Sequence, residues 1–207
     1  MMMEAASIVL VAVMVAGLGP KQAWSDRAGW RAAPELALTG VDGKPSAPTK
    51  VRARWNESWL FVEFVCKDAD VVSPGKEDGL DHWKLGDVVE VFLGRTGASP
   101  YAEIHATPAG RKTIYFFHGY RQSAPMPPAA EDVVVQAEKV PGGWRAMLAI
   151  PWAVLGGGAK AGDWQIFAGR YDYPSATAHP VLSSCPPQTG RPDFHRRETY
   201  ARLELRP

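Results

Sequence analysis

The chain has 207 residues, a length that suits one ordinary domain better than two. Its charges nearly cancel, with 23 Lys and Arg against 22 Asp and Glu, which argues against a dedicated nucleic-acid binder because such proteins carry a basic stripe. A domain of this size folds without metal or disulfide staples, since it buries about 70% of the surface of its unfolded chain. The aromatic content, with 8 Trp, 6 Tyr and 7 Phe, indicates a dense β core or a stacking surface.

The N-terminus has the pattern of a targeting segment. Residues 5–18 form an almost unbroken apolar run before Gly19 and Pro20. This run is shorter than the roughly 20 residues that a membrane-spanning helix needs, and it matches the hydrophobic region of a secretory signal. We predict a signal peptide over residues 1–23, a domain over residues 24–207, and a secreted or periplasmic protein with no membrane span after signal removal. A buried N-terminal helix is the alternative, because residues 1–4 contain no Lys or Arg.

Strand signals follow one another from residue 51 onward. Short runs rich in β-branched and aromatic residues alternate with Gly- and Pro-containing turns, and helical periodicity occurs only in the N-terminal segment. A single helical turn is expected after Pro151. We predict strands over residues 51–55, 60–67, 88–93, 101–107, 112–117, 132–138, 144–150, 164–171 and 199–205. Many short strands of this kind are typical of an all-β sandwich or barrel.

Alternation within these strands separates a core face from a mixed face. Positions 60, 62, 64 and 66 are all apolar, as are 89, 91 and 93, and 102, 104 and 106, so these side chains should face the core. The mixed faces combine aromatic with charged residues around Glu90, around Glu103 and His105, and around Arg170 and Asp172. Apolar walls with a few polar groups are the composition of a ligand groove. An ordinary solvated sheet face is the alternative.

Several motifs in chain order carry a family resemblance. The stretch from Trp55 reads WNESWLFVEFVCKDAD, and HWKLGDVVEVFL follows it up to Leu93. Further along the chain come YAEIH at 101–105, GW and IPW between 143 and 152, FAGR at 167–170, and PDFH and YARL between 192 and 203. In this order and spacing, over residues 30 to 205, they resemble the carbohydrate-binding modules of family 9 and, more broadly, the DOMON-like sandwiches.

The resemblance implies both a fold and a function. The expected fold is an all-β, two-sheet antiparallel β-sandwich of the jelly-roll or immunoglobulin-like kind. The expected function is non-catalytic binding of a mono- or oligosaccharide, held between two aromatic rings above polar side chains of a sheet. The resemblance places the ligand site at Trp83, Glu90, His105, Thr107, Arg170, Asp172, Arg191 and Phe194.

Each of these residue types suits a sugar. Trp83 and Phe194 fall at the two aromatic positions of the family, and a flat ring covers the apolar C–H patch of a pyranose. Glu90 falls at the carboxylate that binds hydroxyl groups, and hydrogen bonds to charged groups are the stronger kind. The other five residues would supply further polar contacts, with Arg191 just ahead of the second ring. Trp83 as a buried anchor, and a salt bridge between Glu90 and Arg170, are the structural alternatives.

Ligands other than sugar are less well supported by the sequence. No cofactor is predicted, although Asp68, Asp70 and Asp87 offer oxygen ligands for the structural calcium that the family often carries. Cys66 and Cys185 either form a disulfide or remain two buried thiols.

Three other functions stay open at this point. An enzyme would use Glu90 with Glu103 or Asp172 as an acid/base pair, but the sequence contains none of the common catalytic motifs. A module that binds only other proteins is the second. A b-type haem domain is the third, since related sandwiches hold haem between Met and His or Lys. Its candidate ligands are His105, His118, His195, Met126 and Met147.

Overall fold

Strands dominate the regular structure of this computed structural model, which describes residues 8–160 and 163–207. Residues 1–7, part of the predicted signal peptide, lie outside the described residues. The two helices are α1 (Pro20–Ser25) and α2 (Arg27–Ala32). The strands are β1 (Val9–Met14), β2 (Glu35–Ala37), β3 (Thr39–Gly40), β4 (Thr49–Trp55), β5 (Trp59–Lys67), β6 (Val88–Arg95), β7 (Tyr101–Ala106), β8 (Lys112–Gly119), β9 (Gln122–Ser123), β10 (Val134–Val140), β11 (Gly143–Pro151), β12 (Trp164–Asp172), β13 (Val181–Cys185) and β14 (Ala201–Arg206).

These strands hydrogen-bond into one curled, mixed sheet. Its main path runs β10-β11-β5-β4-β1-β14-β12-β6-β7-β8-β9, while β13 pairs with β12 and β3, and β2 pairs with β4. Two pairings among the described residues are parallel, and both are made by β1, with β14 and with β4. The all-β prediction is confirmed. The predicted division into two antiparallel sheets is not, because β1 joins what would otherwise be separate sheets.

Strand β1 is the segment that was predicted to be the hydrophobic region of a signal peptide. Leu10 and Ala12 are buried at 3% and 0% exposure, and both belong to the main core. The structure thus gives residues 9–14 a structural role and does not confirm a signal segment. Sequence alone does not separate the two cases, because a short apolar run looks the same whether it is translocated or buried in a sheet.

The main core lies between the two parts of the curled sheet. We call β10, β11, β5 and β4 the first half, and β14, β12, β6, β7 and β8 the second half. Each of the nine predicted strand regions overlaps an observed strand, and every position predicted to face inward belongs to this core. The alternation rule worked here because one face of each strand is fully enclosed.

The outer face of the first half is covered by the N-terminal helices. Ala23 and Trp30 from the helices pack on Phe61, Met147 and Ala149 from the strands to form a second apolar cluster. The helices were not predicted, since six residues are too few to show helical periodicity. None of the described helices is long and apolar enough to cross a bilayer.

Two smaller predictions concern the loops and the thiols. The helical turn expected after Pro151 is present as a 3-10 turn over Trp152–Leu155. Cys66 and Cys185 are both free and buried, so the disulfide alternative is not observed. Burial raises the pKa of Cys66 to about 12 and that of Cys185 to about 11, which makes both thiols poor nucleophiles.

Candidate functional site

A pocket opens on the outer face of the second half. It has a volume of about 430 Å³, within the range of roughly 300–1,000 Å³ that is usual for small-molecule sites. Its floor comes from β6, β7, β8 and β12, and its rim comes from the loops that carry Asp81 and Trp83 on one side and Pro192 to His195 on the other. This is the mixed aromatic and charged face that the alternation pattern indicated for β6 and β7.

Six aromatic rings line the pocket. They are Trp83, Phe92, Tyr115, Phe117, Tyr171 and Phe194. Trp83, Tyr115 and Tyr171 are half-buried and present ring surface to the cavity, whereas the three Phe side chains are buried. The Trp83 and Tyr171 ring centroids are 6.1 Å apart, and those of Tyr171 and Phe194 are 5.6 Å apart. The two predicted aromatic positions therefore converge on one cavity, with Tyr171 between them.

Trp83 is held by the loop that precedes β6. It lies in a 3-10 turn, His82–Lys84, and its carbonyl oxygen accepts a hydrogen bond of 2.7 Å from the Tyr173 hydroxyl. The neighbouring His82 ring is buried, and its Nε2 lies 3.1 Å from the Glu77 carbonyl oxygen. These anchors fix the turn while leaving the indole at the rim.

Phe194 is the less exposed of the two predicted aromatic positions, at 5%. Its ring packs against Phe167, at 4.8 Å between centroids, and against Gly169 of β12. A Cβ atom on Gly169 would lie 2.7 Å from Phe194 Cε2, so a glycine is required for the ring to approach the strand. Phe194 thus forms part of the pocket wall rather than an open stacking platform.

The floor of the pocket carries a buried acidic cluster. Glu90 and His105 are paired across β6 and β7, and Glu103 lies two residues before His105 on the same face. His105 Nε2 lies 2.6 Å from Glu103 Oε1 and 3.1 Å from Glu90 Oε1. All three side chains are less than a tenth exposed, and both carboxylates border the cavity. The His105 imidazole therefore contacts both carboxylates, and His195 Nε2 approaches Glu103 Oε2 from the rim at 3.7 Å.

Burial and charge act together on the protonation of this cluster. Burial raises the pKa of Glu90 to about 8, with the Glu103 charge adding to the rise and His105 opposing it. Burial alone would lower the pKa of His105, but the Glu90 charge and the hydrogen bond to Glu103 raise it above its ordinary value. The cluster holds protons more tightly than the same groups in water.

The other ionisable groups of the pocket are at its rim and are largely paired. Asp81 bonds Lys84 and the Tyr115 hydroxyl, and its pKa is lowered chiefly by Lys84. Arg121 donates to Asp193 Oδ1 at 2.9 Å. His195 Nδ1 lies 3.0 Å from the Tyr101 hydroxyl, and burial lowers the pKa of this histidine.

The structure brings three of the eight predicted site residues into the pocket: Trp83, Glu90 and Phe194. His105 lies beneath the pocket as the partner of the two carboxylates. Thr107 is buried in the turn after β7, where its hydroxyl accepts from the Arg111 backbone N–H at 3.1 Å. Arg191 is exposed and precedes the lining residue Pro192 without lining the pocket itself.

The prediction that Arg170 and Asp172 face the groove is wrong. Arg170 is fully buried at the end of the main core, where it bonds Thr49 Oγ1 at 2.8 Å, Asp68 Oδ2 at 2.9 Å and Asp172 Oδ1 at 2.6 Å. The prediction assigned the wrong face of β12 to the groove. Arg170 and Asp172 share a face with Trp164, Ile166 and Ala168, which are core residues. The alternate positions of β12, including Tyr171, face the pocket.

Two of the three calcium candidates, Asp68 and Asp87, lie in an ion-pair cluster with Asp172 and Arg170. Oxygen atoms of Asp68, Asp87 and Asp172 lie within 4.8 Å of one another, whereas Asp70 is exposed. The Arg170 guanidinium bonds two of the three carboxylates, and Asp87 accepts backbone N–H groups of Val72 and Tyr173. These residues do not fit a calcium site well, because the Arg170 guanidinium already supplies the positive charge that a cation would bring to the carboxylates.

The candidate haem ligands do not meet in one cavity of the described residues. Met147 is buried beneath the N-terminal helices, on the outer face of the opposite half. Met126 and His118 are exposed, and His105 is committed to Glu90 and Glu103. His195 borders the pocket, but no methionine does.

Several pocket residues were not predicted as ligand contacts. They are Asp81, Phe92, Glu103, Tyr115, Phe117, Arg121, Ser123, Tyr171, Leu182, Pro192 and His195. Glu103 was recognisable, since it shares the outward face of β7 with His105. Tyr171 was recognisable because it lies on the opposite face of β12 from Arg170. The loop residues carry no such signal, because their approach depends on how the loops fold.

The curled β sheet has the same fold as family 9 carbohydrate-binding modules of known structure. No family model and no curated protein matches the sequence itself.

Three solved structures share this fold over nearly the whole chain. A "putative carbohydrate-binding protein" from Bacteroides uniformis ATCC 8492 matches with a TM-score of 0.80 at 17% identity, over 97% of this chain and 100% of that one. A family 9 module from Caldicellulosiruptor kristjanssonii with cellotriose matches at 0.66 and 11% identity, over 96% and 93%. A family 9 module from the same organism with glucose matches at 0.68 and 11% identity, over 95% of each chain.

Proposed function

We propose that this protein binds carbohydrate without transforming it, and that its ligand is a pyranose unit of a mono- or oligosaccharide held in the pocket on the second half. The observation that carries the proposal is the convergence of half-buried aromatic rings and buried carboxylates in one cavity of about 430 Å³. The solved structures of the same fold with glucose and with cellotriose support the ligand class.

The aromatic part of the pocket suits the apolar face of a sugar. The Trp83 indole and the Tyr171 ring border the cavity at 6.1 Å from each other and at 50°. Rings set at an angle cover two sides of a pyranose ring, and each would contact axial C–H groups through its negative π surface. Trp83 lies on the rim loop, whereas Tyr171 belongs to β12.

The polar part suits the hydroxyl groups. Glu90 and Glu103 border the cavity from its floor, and Asp81 and Arg121 border it from its rim. A hydroxyl that donates to an ionised carboxylate forms a charge-assisted bond, which is stronger than a neutral one. The protonated form that burial favours for Glu90 can itself donate to a sugar oxygen. A few such bonds, less the cost of association, correspond to affinities in the roughly micromolar to millimolar range.

The positions of the carboxylates favour binding over hydrolysis. Glycosidases place two carboxyl groups on either side of the scissile bond. Glu90 and Glu103 instead project from adjacent strands of one sheet face and share His105. Both therefore lie on the same side of any ligand in the pocket.

Calorimetric titration with a panel of mono- and oligosaccharides, on wild type and on Trp83→Ala, tests the proposal. Loss of the indole should weaken binding about five- to thirtyfold, because one stacked ring contributes on the order of 1–2 kcal/mol. The melting temperature should change little, since Trp83 is only half-buried.

Trp59→Ala is the matched control. It removes an equally half-buried indole from the first half, away from the pocket, and should leave sugar affinity unchanged. No binding to any sugar of the panel by wild type, or equal losses in the two variants, would contradict the proposal. Release of reducing sugar from an oligosaccharide would contradict its non-catalytic part.

A further inference from the structure

We infer that the pocket prefers a pyranose that bears a protonated amine, an amino sugar, over the corresponding neutral sugar. This inference rests on the proposed function and adds the chemical class of the ligand. It follows from which charges of the pocket are neutralised by partners and which are not.

The rim charges cancel in pairs. The Asp81 carboxylate contacts the Lys84 ammonium, and the Arg121 guanidinium contacts the Asp193 carboxylate. His195 Nε2 lies 3.7 Å from Glu103 Oε2, and burial lowers the pKa of this histidine, which disfavours its charged form. What is left is the floor cluster, in which Glu90 and Glu103 flank the His105 imidazole. Burial favours the protonated form of Glu90, and the cluster has a net negative charge once Glu90 gives up this proton beside a cationic ligand.

Glu90 is the least satisfied member of this cluster. It is 2% exposed and borders the cavity, yet none of the side-chain hydrogen bonds among residues 8–160 and 163–207 involves it. Its one ion-pair contact is His105 Nε2, at 3.1 Å, and that nitrogen bonds Glu103 more closely, at 2.6 Å. A buried carboxylate with free acceptor capacity at a cavity wall is matched by a donor that is itself charged.

The walls suit a cation as well. An ammonium group is attracted to the faces of Trp and Tyr rings, and Trp83, Tyr115 and Tyr171 border the same cavity as Glu90. The protein already uses this interaction at the rim, where Lys84 Nζ lies 4.8 Å from the Trp83 ring centroid. An anionic sugar such as a uronate would find no unpaired cation among the lining residues and would be repelled by the ionised form of Glu90.

Titration with matched pairs of sugars tests the inference. Glucose, galactose and mannose would each be compared with the 2-amino-2-deoxy sugar of the same configuration, at low salt and pH 7. We expect the amine to bind about fivefold or more tightly within at least one pair, since a hydrogen bond to a charged donor is stronger than one to a hydroxyl. Added salt should narrow the difference, and glucuronate should bind more weakly than glucose.

Proton release supplies an independent readout on the wild-type protein. An ammonium at the floor favours the ionised form of Glu90, whose pKa burial raises to about 8. Titrations in two buffers with different ionisation enthalpies should therefore show protons released on binding the amine but not on binding the neutral sugar.

Glu90→Gln should bring the affinity ratio of amine to neutral sugar close to one. Glu57→Gln is the matched control, because this exposed carboxylate lies outside the pocket, and it should keep the ratio. Equal affinity within every pair that binds, without proton release, would overturn the inference and leave the proposed function intact. Absence of binding in all pairs and in the oligosaccharide panel would overturn the proposed function instead.

Discussion

The two outer faces of the curled sheet carry similar residues, but the N-terminal helices cover only one of them. On the first half, Glu63 and Arg145 lie beside Phe61 and Met147, and the N-terminal helices cover all four. On the second half, Glu90 and Glu103 lie beside aromatic rings, and no helix of the described residues covers them. An aromatic and charged face is therefore not enough to define a ligand site.

What separates the two faces is charge pairing. Glu63 accepts from Arg145 at 2.6 Å and contacts Arg52 at 3.2 Å, so its carboxylate has a guanidinium on each side. Arg145 in turn donates to the Trp24 carbonyl oxygen at 2.8 Å and stacks on the Trp24 ring at 3.7 Å. No arginine in the part of the chain that the structure describes contacts Glu90, whose ion-pair contact is His105. On the first face the buried carboxylate is paired with guanidinium groups, whereas on the second face Glu90 can still form hydrogen bonds with a ligand.

Removal of residues 1–23 should produce the largest effect. A chain that starts at Trp24 loses β1, which joins the two halves, and most of α1, which covers the first face. We expect a loss of unfolding free energy of about 5 kcal/mol or more, comparable with the whole stability of many domains. Urea denaturation followed by tryptophan fluorescence would measure it.

This truncation also tests the predicted signal peptide. If cleavage after Ala23 produces the mature protein, the truncated chain should fold cooperatively and bind ligand as the full chain does. N-terminal sequencing of the exported protein would then begin at Trp24.

Arg145→Met should destabilise the first face by about 3–5 kcal/mol. The change removes one of two guanidinium partners from the buried Glu63 carboxylate and leaves it incompletely neutralised. The matched control is Arg121→Met at the pocket rim, where the ion pair with Asp193 is 54% exposed on the arginine side and should contribute at most about 1 kcal/mol. Equal losses of unfolding free energy in the two variants would contradict the difference in charge pairing between the covered first face and the uncovered second face.

The pH dependence of stability should report on the second face. Between the ordinary pKa of 4.5 and the raised value of about 8, folded Glu90 keeps a proton that the unfolded chain has released. Stability contributed by this group is thus present below pH 4.5 and is lost as the pH rises toward 8. His105, with a raised pKa, acts in the same direction. We expect a loss of about 2 kcal/mol between about pH 5.5 and 8.5.

Glu90→Gln is the variant that isolates this effect. It keeps the shape of the side chain and removes its titration, so the decline in denaturation midpoint with rising pH should flatten. A variant with the same pH slope as wild type would assign the decline to other groups.

Individual elements show how far the sequence could predict this fold. Strands β4 to β8 and β10 to β12 were recognisable because each has one apolar face over several residues. Strands β2, β3 and β9 have two or three residues, too few for a period-two pattern. Strand β1 is apolar on both faces, and such a run does not distinguish a signal from a buried strand.

The candidate site was predictable to the same limited extent. The family resemblance named Trp83, Glu90 and Phe194, and the structure brings these three residues to one cavity, while their role in binding stays a prediction. Arg170 was misassigned because a charge at the end of an apolar strand face looks outward-facing in sequence, although here it neutralises Asp68 and Asp172 inside the core. The sequence shows that Arg170 is charged but does not show which carboxylates it contacts in the folded protein.

The amino-acid sequence by itself determined the all-β class, the core face of each long strand and the strand that carries Glu90, because these depend on local alternation between apolar and polar residues. Only the tertiary structure decided that β1 closes the sheet, that the first face is covered and that the second is open. Those outcomes depend on contacts between residues far apart in the chain, and on which carboxylate meets a guanidinium, which no local pattern encodes.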